Sequence, residues 1–280
     1  MPAAIELRDV YFGYKPGCWA IGGLNIRWNK GTKAAIVGAN GAGKSTMLLL
    51  LDGGLHPCKG EIRILGQELR YDREGLRWLR STVGLVVQDP DDQIIASTVE
   101  QEVAFGPLNL GVPPVECRRR VRASLSTLDA LDLIDEPVHE LSFGQKKRVA
   151  IASILAMQPA VLLLDEPTAG LDHLSSAHLL AALDDLARQG TTVLLTTHDS
   201  NLAYEWADEV LVLDQGRPAL AGAPLDVFAH SETIQSYRLA QPAVMEIWQR
   251  TFRDDWCGAP PRTRSELVDG IKALRLVGKH

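Results

Sequence analysis

The chain has 280 residues, 46% of them hydrophobic, which is enough to bury the core of one large domain with or without a small appendage. Its formal net charge of −6 argues against a protein that mainly neutralises nucleic-acid phosphates, so we expect no nucleic-acid partner. No apolar run reaches the roughly 20 residues that cross a bilayer, and residues 1–10 lack the apolar stretch of a signal peptide. We therefore expect a cytosolic location.

Cysteine and histidine positions indicate neither a disulfide framework nor a zinc site. The four cysteines, at positions 18, 58, 117 and 257, show no CxxC spacing, and we interpret them as reduced and structural. The two nearest histidines, His173 and His178, are five positions apart, a spacing that does not suit metal binding on one helix face.

The order of predicted elements indicates an α/β fold. The first half contains short β-prone segments at 4–12, 23–28 and 33–38, a helix near 45–53, a hairpin-like segment at 60–69, a strand ending at Gln88 and a mostly helical insertion at 89–145. The second half contains helices at 146–158 and 175–190, strands at 160–167 and 191–198, and a hairpin at 208–222 with its turn at Gln215-Gly216. Helices and buried strands that alternate in this way predict a parallel, helix-covered sheet.

The segment 38–45, GANGAGKS, matches the eight-residue phosphate-loop pattern between a strand and a helix. Its glycines let backbone amides converge on phosphate oxygens, Lys44 reaches the β and γ phosphates, and Ser45 supplies a hydroxyl for Mg²⁺. The alternative is a glycine-rich turn that only begins a helix. The candidate nucleotide-binding residues in this segment are Gly38, Asn40, Gly41, Gly43, Lys44, Ser45 and Thr46.

A second candidate lies at the end of the apolar strand 161–164, where Asp165 and Glu166 follow each other. Ligands of open α/β sheets bind at this carboxyl edge. Consecutive strand residues point to opposite sides, so we expect the two carboxylates to have separate roles, one orienting Mg²⁺ and the other activating water. The alternative is a solvated acidic pair in a loop.

Residues 141–145, LSFGQ, resemble the signature motif of ABC ATPases. Ser142 suits a helix N-cap, and Gly144 exposes amides that could hold a second set of phosphate oxygens. Phe143 stands where that family usually has glycine. Taken alone, the segment could also be a helix cap without a ligand.

Four further positions resemble ABC elements, in the family's order, between residues 5 and 217. Tyr14 resembles the aromatic residue that stacks on adenine, with Tyr11 as a competitor and a core tyrosine as the alternative. Gln88 resembles the glutamine that contacts Mg²⁺ and the attacking water, and Asp172 resembles the D-loop aspartate. His198 resembles the switch histidine near the γ-phosphate, although a lone histidine after a strand is usually structural.

The resemblance implies an ABC nucleotide-binding domain over 1–222, with a RecA-like parallel sheet core, an N-terminal antiparallel β subdomain and a helical subdomain at about 89–145, followed by a C-terminal extension at 223–280. It also implies an ATP hydrolase that uses ATP and Mg²⁺. Two copies of the chain would close head to tail, so that each phosphate loop faces the partner's Ser142, Gly144 and Gln145. Our hypothesis makes Glu166 the general base for a water held by Gln88 and His198. The Mg²⁺ ligands would be Ser45, Gln88 and Asp165.

Residues 88–93 and 98–111 resemble the ATPases of energy-coupling-factor (ECF) importers, especially those for cobalt and nickel. This resemblance implies an integral membrane T-component whose coupling helices dock near this segment. It also implies a separate membrane subunit that binds the substrate. The chain would then lie peripherally at the cytoplasmic face of the membrane. A vitamin is the alternative cargo.

The segments 239–250 and 260–274 resemble the C-terminal extension of such subunits. Amphipathic spacing places Val244, Ile247, Trp248 and Phe252 on one side of a helix. That side could pack against a partner subunit or against the chain's own domain. We predict a dimer contact, and the spacing is equally compatible with packing against the chain's own domain.

Two rival classes remain at this point. A non-transport ABC protein acting on DNA or ribosomes fits poorly, because the segment between the phosphate loop and the pair Asp165 and Glu166 is too short for a long coiled coil and only one cassette is present. A small-molecule phosphotransferase could use the same phosphate loop, but segment 141–145 argues against it.

Overall fold

A computed structural model describes residues 3–253, 256 and 258–277. The strands are β1 (Ala3–Phe12), β2 (Ile21–Asn29), β3 (Lys33–Val37), β4 (Lys59–Ile64), β5 (Gln67–Glu68), β6 (Val83–Val86), β7 (Val161–Asp165), β8 (Thr192–Thr197), β9 (Glu209–Asp214) and β10 (Arg217–Gly222). The helices are α1 (Lys44–Leu51), α2 (Arg73–Thr82), α3 (Val99–Asn109), α4 (Pro114–Thr127), α5 (Phe143–Leu155), α6 (His173–Arg188), α7 (Ser200–Trp206), α8 (Pro224–Phe228), α9 (Ser231–Ser236), α10 (Ala243–Ile247) and α11 (Arg264–Val277).

The larger sheet has six strands in the order β10-β9-β3-β8-β7-β6. All neighbours are parallel except β10, which pairs antiparallel with β9 at one edge. The β9–β10 turn at Gln215 and Gly216 has positive φ angles of 46° and 75°, which match the right-handed twist of the two strands. The predicted parallel sheet and closing hairpin are therefore confirmed.

Both faces of this sheet are buried, and the side chains alternate between two hydrophobic clusters. Leu162 and Leu164 of β7 face the cluster beneath the helices, whereas Leu163 faces the cluster shared with the other sheet. A strand covered on both sides needs apolar residues at every position. This burial explains the uninterrupted run at 161–164.

The smaller sheet is antiparallel, in the order β2-β1-β4-β5. Its inner residues pack with the buried side chains of α1, such as Met47 and Leu50, in the second cluster. The third β-prone segment of the N-terminal region, β3, belongs to the larger sheet and leads into the phosphate loop. The phosphate loop therefore begins at the junction between the two sheets.

The region 89–145 is mainly helical, as predicted, and contains α3, α4 and the start of α5. Thr98 caps α3 by accepting a hydrogen bond from the Gln101 amide, and Pro114 occupies the first position of α4. Residues 73–82 form α2, which the sequence pattern did not predict. Of its apolar side chains only Leu79 is fully buried, so its apolar stripe is short.

The described residues of the C-terminal extension, 223–253, 256 and 258–277, pack against the chain's own domain. Phe228, Ile234, Val244 and Met245 are buried in the same cluster as one face of the six-stranded sheet. Trp248 and Phe252 pack partly against it, whereas Ile247 is exposed. Most of the predicted amphipathic side therefore packs against the chain's own domain. A dimer contact through this extension stays a prediction.

Cys18, Cys58 and Cys117 carry free thiols, and only Cys117 of these three is buried. The fourth cysteine, at position 257, lies outside the described residues. Within the described ranges, every helix is too short or too polar to span a lipid bilayer.

Candidate nucleotide-binding site

A cleft of about 870 Å³ opens at the carboxyl edge of the neighbouring strands β3, β8, β7 and β6. We call it the nucleotide cleft. Because these strands are parallel, the loops that follow them converge at one edge of the sheet. The predicted residues that line the cleft are Tyr14, Gly38, Asn40, Gly41, Gly43, Lys44, Ser45, Thr46, Gln88, Asp165, Glu166 and His198.

The phosphate loop requires glycine for two different reasons. A Cβ atom at Gly38 would lie 2.3 Å from the carbonyl oxygen of Leu213, so only glycine fits there. Gly43 has a φ of 102° and is the N-cap of α1, where no side chain caps the helix. The first amides of α1 are therefore left for an anion, as in known phosphate sites.

Lys44 is buried, and its ammonium group already lies over the loop. Its Nζ donates hydrogen bonds to the carbonyl oxygens of Gly38, at 2.8 Å, and Ala39, at 3.4 Å. The positive charge is thus held beside the amides that would meet the phosphates. This position agrees with the role that the phosphate-loop pattern predicts for it.

The hydrolytic edge is organised around Thr196 of β8. Its hydroxyl donates to the carboxylate of Asp165 and accepts a 3.0 Å hydrogen bond from the Glu166 amide. The Nδ1 atom of His198 lies 3.0 Å from Glu166 Oε2, so the histidine and the second carboxylate form a pair at the cleft. Sequence reasoning missed Thr196. In the sheet, β7 and β8 are neighbours, and Asp165 lies opposite Thr196. The position of Thr196, two residues before His198 on the predicted strand, was the signal that could have identified it.

Strand alternation does not separate the two carboxylates. β7 ends at Asp165, and Glu166 has a φ of 46° in the left-handed region, so the strand geometry stops between them. Both carboxylates line the same cleft. Positive φ is costly for glutamate, and residues held this way are concentrated at functional sites.

Lys147 of α5 fixes the segment that carries Gln88. It is fully buried, and its Nζ donates hydrogen bonds to the carbonyl oxygens of Val87 and Gln88. Burial lowers the pKa of Lys147, while the nearby carboxylates of Asp165 and Asp89 act in the opposite direction. No sequence pattern predicts this contact, because Lys147 resembles any other lysine in a polar stretch of helix.

The side chains present suit Mg²⁺. Ser45, Gln88 and Asp165 line the cleft together and offer oxygen ligands, which Mg²⁺ prefers. Within the described residues there is no group of three His, Cys, Asp or Glu side chains placed to hold a metal ion. A single carboxylate fits an ion that keeps substrate phosphates and waters as its other ligands. When bound there, Mg²⁺ offsets negative charge on the phosphates.

Of the two tyrosines considered for adenine, only Tyr14 lines the cleft. It is 62% exposed, its hydroxyl lies 3.2 Å from Thr46 Oγ1, and its ring packs edge-on against Phe12. Tyr11 instead packs against Trp19, with Lys59 over its ring. The exposed Tyr14 ring is free to stack on a base, and that role stays a prediction.

The signature-motif residues Ser142, Gly144 and Gln145 do not line this cleft, whereas Phe143 lines a neighbouring cavity of about 420 Å³ together with Ser45, Gln88 and Asp165. Ser142 and Gln145 form a capping box at the start of α5, in which the Gln145 carboxamide accepts from the Ser142 amide at 2.8 Å. The ring of Phe143 packs on Gly170 of the D-loop, residues 169–172. Asp172 caps α6 by accepting from the Ser175 amide at 2.7 Å, and this hydrogen bond lowers the pKa of its carboxyl. The structure thus separates Ser142, Gly144, Gln145 and Asp172 from the residues around the phosphate loop.

Comparison with known proteins agrees with this geometry. The family model described as ABC transporter matches residues 21–169. An energy-coupling factor transporter ATP-binding protein, EcfA, of Methanocaldococcus jannaschii is 46% identical over 96% of this chain and 98% of its own length. A putative ABC transporter ATP-binding protein of Streptomyces coelicolor is 50% identical over 76% of this chain and 75% of its own length.

Solved structures give the same result. CbiO1 of Clostridium perfringens, described as part of the ABC transporter complex CbiONQ, has a TM-score of 0.76 and 37% identity and covers 91% of this chain and 98% of its own. A dimeric ATP-binding cassette bound to ADP and Pi has a TM-score of 0.74 and 28% identity and covers 79% of this chain and 98% of its own. The chain therefore belongs to the ABC transporter family, in the group of energy-coupling factor ATP-binding proteins, and it binds ATP with Mg²⁺ and hydrolyses ATP.

Proposed function

We propose that the chain is the motor subunit of a multi-subunit ECF-type importer for cobalt or nickel ions. It works as a homodimer, lies peripherally at the cytoplasmic face of the membrane, and drives an integral T-component and a membrane subunit that binds the cargo. The observation that carries this proposal is an exposed apolar groove on the helical region.

The groove, which we call the partner groove, lies between α3 and α4 and has a volume of about 500 Å³. Phe105 and Leu108 line it and are 51% and 52% exposed, and Glu100 and Arg118 contribute charge to its wall. Large apolar side chains rimmed by polar ones mark protein-binding surfaces, and a groove of this shape suits an amphipathic helix. A coupling helix of the T-component is such a ligand.

A hydrogen-bonded segment connects the partner groove to the nucleotide cleft. Gln93 accepts from the Val87 amide at 3.0 Å and donates to the Ala150 carbonyl at 2.9 Å, which holds the segment after Gln88 against α5. The buried carboxylate of Glu102, on α3, accepts from the amides of Ile95 and Ala96 at 2.9 Å. A change at Gln88 can therefore move α3 and the groove with it.

The homodimer is supported by the position of the signature motif. Ser142 and Gly144 lie outside the chain's own nucleotide cleft, so they can contact ATP only in another subunit. In the dimer, each cleft would be closed by the partner's α5. The relative bound to ADP and Pi is itself described as a dimer.

Within this dimer we assign the general base to Glu166, with Gln88 and His198 holding the attacking water. The 3.0 Å contact between His198 and Glu166 keeps the carboxylate in one orientation at the cleft. A water beside Glu166 would lose a proton to the carboxylate as it attacks the γ-phosphate.

The cargo assignment rests on residues 88–111, which resemble the ATPases of cobalt and nickel importers. The EcfA relatives support the coupling-factor architecture and leave the cargo open. A vitamin importer is the second candidate, and it uses the same motor chemistry.

The test is capture of membrane partners from detergent-solubilised native membranes with the tagged chain, followed by mass identification. We expect a T-like integral protein and a second integral subunit, and an ATPase rate that rises when they are present. Phe105→Asp should abolish capture, because it puts a charge into the partner groove. Val268→Asp, at a 48% exposed position on α11, is the matched control and should capture normally.

The cargo is then identified by uptake into proteoliposomes that contain the captured complex. ATP-dependent accumulation of Co²⁺ or Ni²⁺ is expected. Accumulation of a vitamin instead would retain the motor assignment and reject the metal. If no integral protein is captured, and the chain binds ribosomes or DNA in a salt-sensitive manner, the transport assignment is wrong.

A further inference from the structure

We propose that Arg238, in the C-terminal extension, is a phosphate-binding residue of the nucleotide site. The inference rests on the ATP site itself and is independent of the cargo and of the membrane partners. None of the nucleotide-binding motifs includes this residue, because it lies far beyond them in the sequence.

Arg238 and Leu239 line the nucleotide cleft together with the phosphate loop. A second cavity, of about 180 Å³, lies between Arg238 and Ala39–Ala42 of the loop, with Asp214 and Gln215 on another side. Tyr14, the predicted adenine contact, lines the large cleft but not this cavity. Arg238 is therefore at the phosphate-loop end of the site.

The backbone holds Arg238 in a conformation that arginine rarely adopts. Its φ is 59°, in the left-handed region. The Leu239 amide donates to the Ile234 carbonyl at 3.3 Å, and the Arg238 amide donates to the Gln235 carbonyl at 2.9 Å. This is the Schellman arrangement that ends α9, and Arg238 occupies the position where glycine is usual. Residues other than glycine that are held in this region of backbone space are concentrated at functional sites.

The guanidinium has no competing anion in the described part of the chain. It takes part in no ion pair and in no side-chain hydrogen bond among those residues, and Asp214, across the small cavity, is not within 4.0 Å of it. An exposed arginine beside uncapped loop amides adds a second positive element to the phosphate site. Arginine suits this task because its planar group can donate two parallel hydrogen bonds to one phosphate.

The segment around Arg238 is anchored to the domain, so the guanidinium is carried by a fixed backbone. Ile234 and Leu239, on either side of it, are buried in the core. Further along the extension, the Tyr204 hydroxyl donates to the Pro261 carbonyl at 2.9 Å. Bound nucleotide would therefore be held by the phosphate loop and by the extension at once.

The experiment measures the affinity of the full chain for three ligands in Mg²⁺ buffer: the non-hydrolysable analogue AMP-PNP, ADP, and adenosine by competition. Arg238→Gly removes the guanidinium and suits the observed φ, so the protein should melt at or above the wild-type temperature. We expect affinity for AMP-PNP and ADP to fall about 3- to 10-fold, as for a charge-assisted hydrogen bond at an exposed site, with adenosine unchanged. Arg238→Lys should give an intermediate loss.

Arg250→Ala is the matched control, since this exposed arginine of the same extension pairs with Glu246 and lines neither cavity. It should bind all three ligands like the wild type, and Lys44→Ala shows that the assay reports the phosphate site. Wild-type affinity of Arg238→Gly for AMP-PNP would overturn the proposal. An equal loss for adenosine would also overturn it, because the effect would then be structural.

Discussion

The helices α1 and α5 both begin at a motif that the sequence assigns to phosphate binding, yet their first turns are satisfied differently. The first turn of α1 has no side-chain cap and no acidic residue. The first turn of α5 is closed by the capping box of Ser142 and Gln145. Uncapped amides gain partners when a phosphate binds, whereas capped amides are already stable. The comparison indicates that α1 is built around its ligand and that α5 is stable before it meets one.

The other end of α1 sharpens this contrast. Asp52 caps its C-terminus, where the helix dipole is negative, and no basic residue lies in the last turn. Burial raises the pKa of Asp52 to about 6, and Arg80 only partly opposes this effect. α1 is thus unfavourably charged at one end and uncapped at the other. We therefore expect the stability of α1 to come from its packing in the core and to increase when nucleotide binds.

The largest effect is expected in the nucleotide cleft at the start of α1, where one substitution should abolish most ATP turnover but leave ATP binding intact. Glu166→Gln removes the proposed base and should lower ATP turnover by about 10²- to 10⁴-fold. ATP binding should persist, because the phosphate loop is unchanged. Turnover is measured by phosphate release and binding by titration, with Glu205→Gln, outside the cleft, as the control. Hydrolysis at the wild-type rate would show that another group accepts the proton.

The next prediction tests the α5 side. Ser142→Ala removes the cap hydroxyl, which should destabilise the protein by about 1 kcal/mol and weaken ATP-dependent dimerisation by about 10-fold or more. A single chain should bind ATP as before, because Ser142 lies outside its own cleft. Sedimentation of Glu166→Gln protein with and without Ser142→Ala measures the dimer. If Ser142→Ala weakened ATP binding by the isolated chain, the conclusion that α5 does not contribute to its own chain's nucleotide cleft would be wrong.

A smaller effect concerns the C-terminus of α1. Since the folded-state pKa of Asp52 lies above its ordinary value of 3.8, the free energy of unfolding should fall as pH rises from about 4 to about 6 and stay reduced at pH 7. Asp52→Asn should therefore stabilise the protein at pH 7 by about 1–2 kcal/mol, allowing for partial exposure, and flatten this pH dependence. Urea unfolding at pH 4.5 and pH 7 measures both. The exposed Asp135→Asn should change neither, and equal stability of wild type and Asp52→Asn at pH 7 would contradict the assignment.

The smallest expected change concerns Phe143. Its ring packs on Gly170, so we expect it not to block the approach of a phosphate to the first turn of α5. Phe143→Gly should cost about 1 kcal/mol of stability through lost packing and added backbone freedom, and should change ATP-dependent dimerisation by less than about threefold. Thermal unfolding and sedimentation measure these effects. A dimer that forms far more tightly would mean that the ring obstructs closure.

The sequence determined the parts of this protein that depend on local chemistry. The phosphate loop needs glycines, a lysine and a serine in one order, and Gly38 and Gly43 have the tight contacts and positive φ that explain that order. The apolar run of β7 predicted a strand buried on both faces, and Ser142 predicted a helix cap. These features could be read in advance because each is specified by neighbouring residues.

Only the tertiary structure decided which distant groups meet. Thr196 holds Asp165 and the Glu166 amide because β7 and β8 are neighbours, and Lys147 reaches Gln88 because α5 packs against that loop. Arg238 lines the cleft because α9 ends beside the phosphate loop. Such contacts follow from the burial of a whole core, a property shared by many residues, so no single segment of the sequence specifies them.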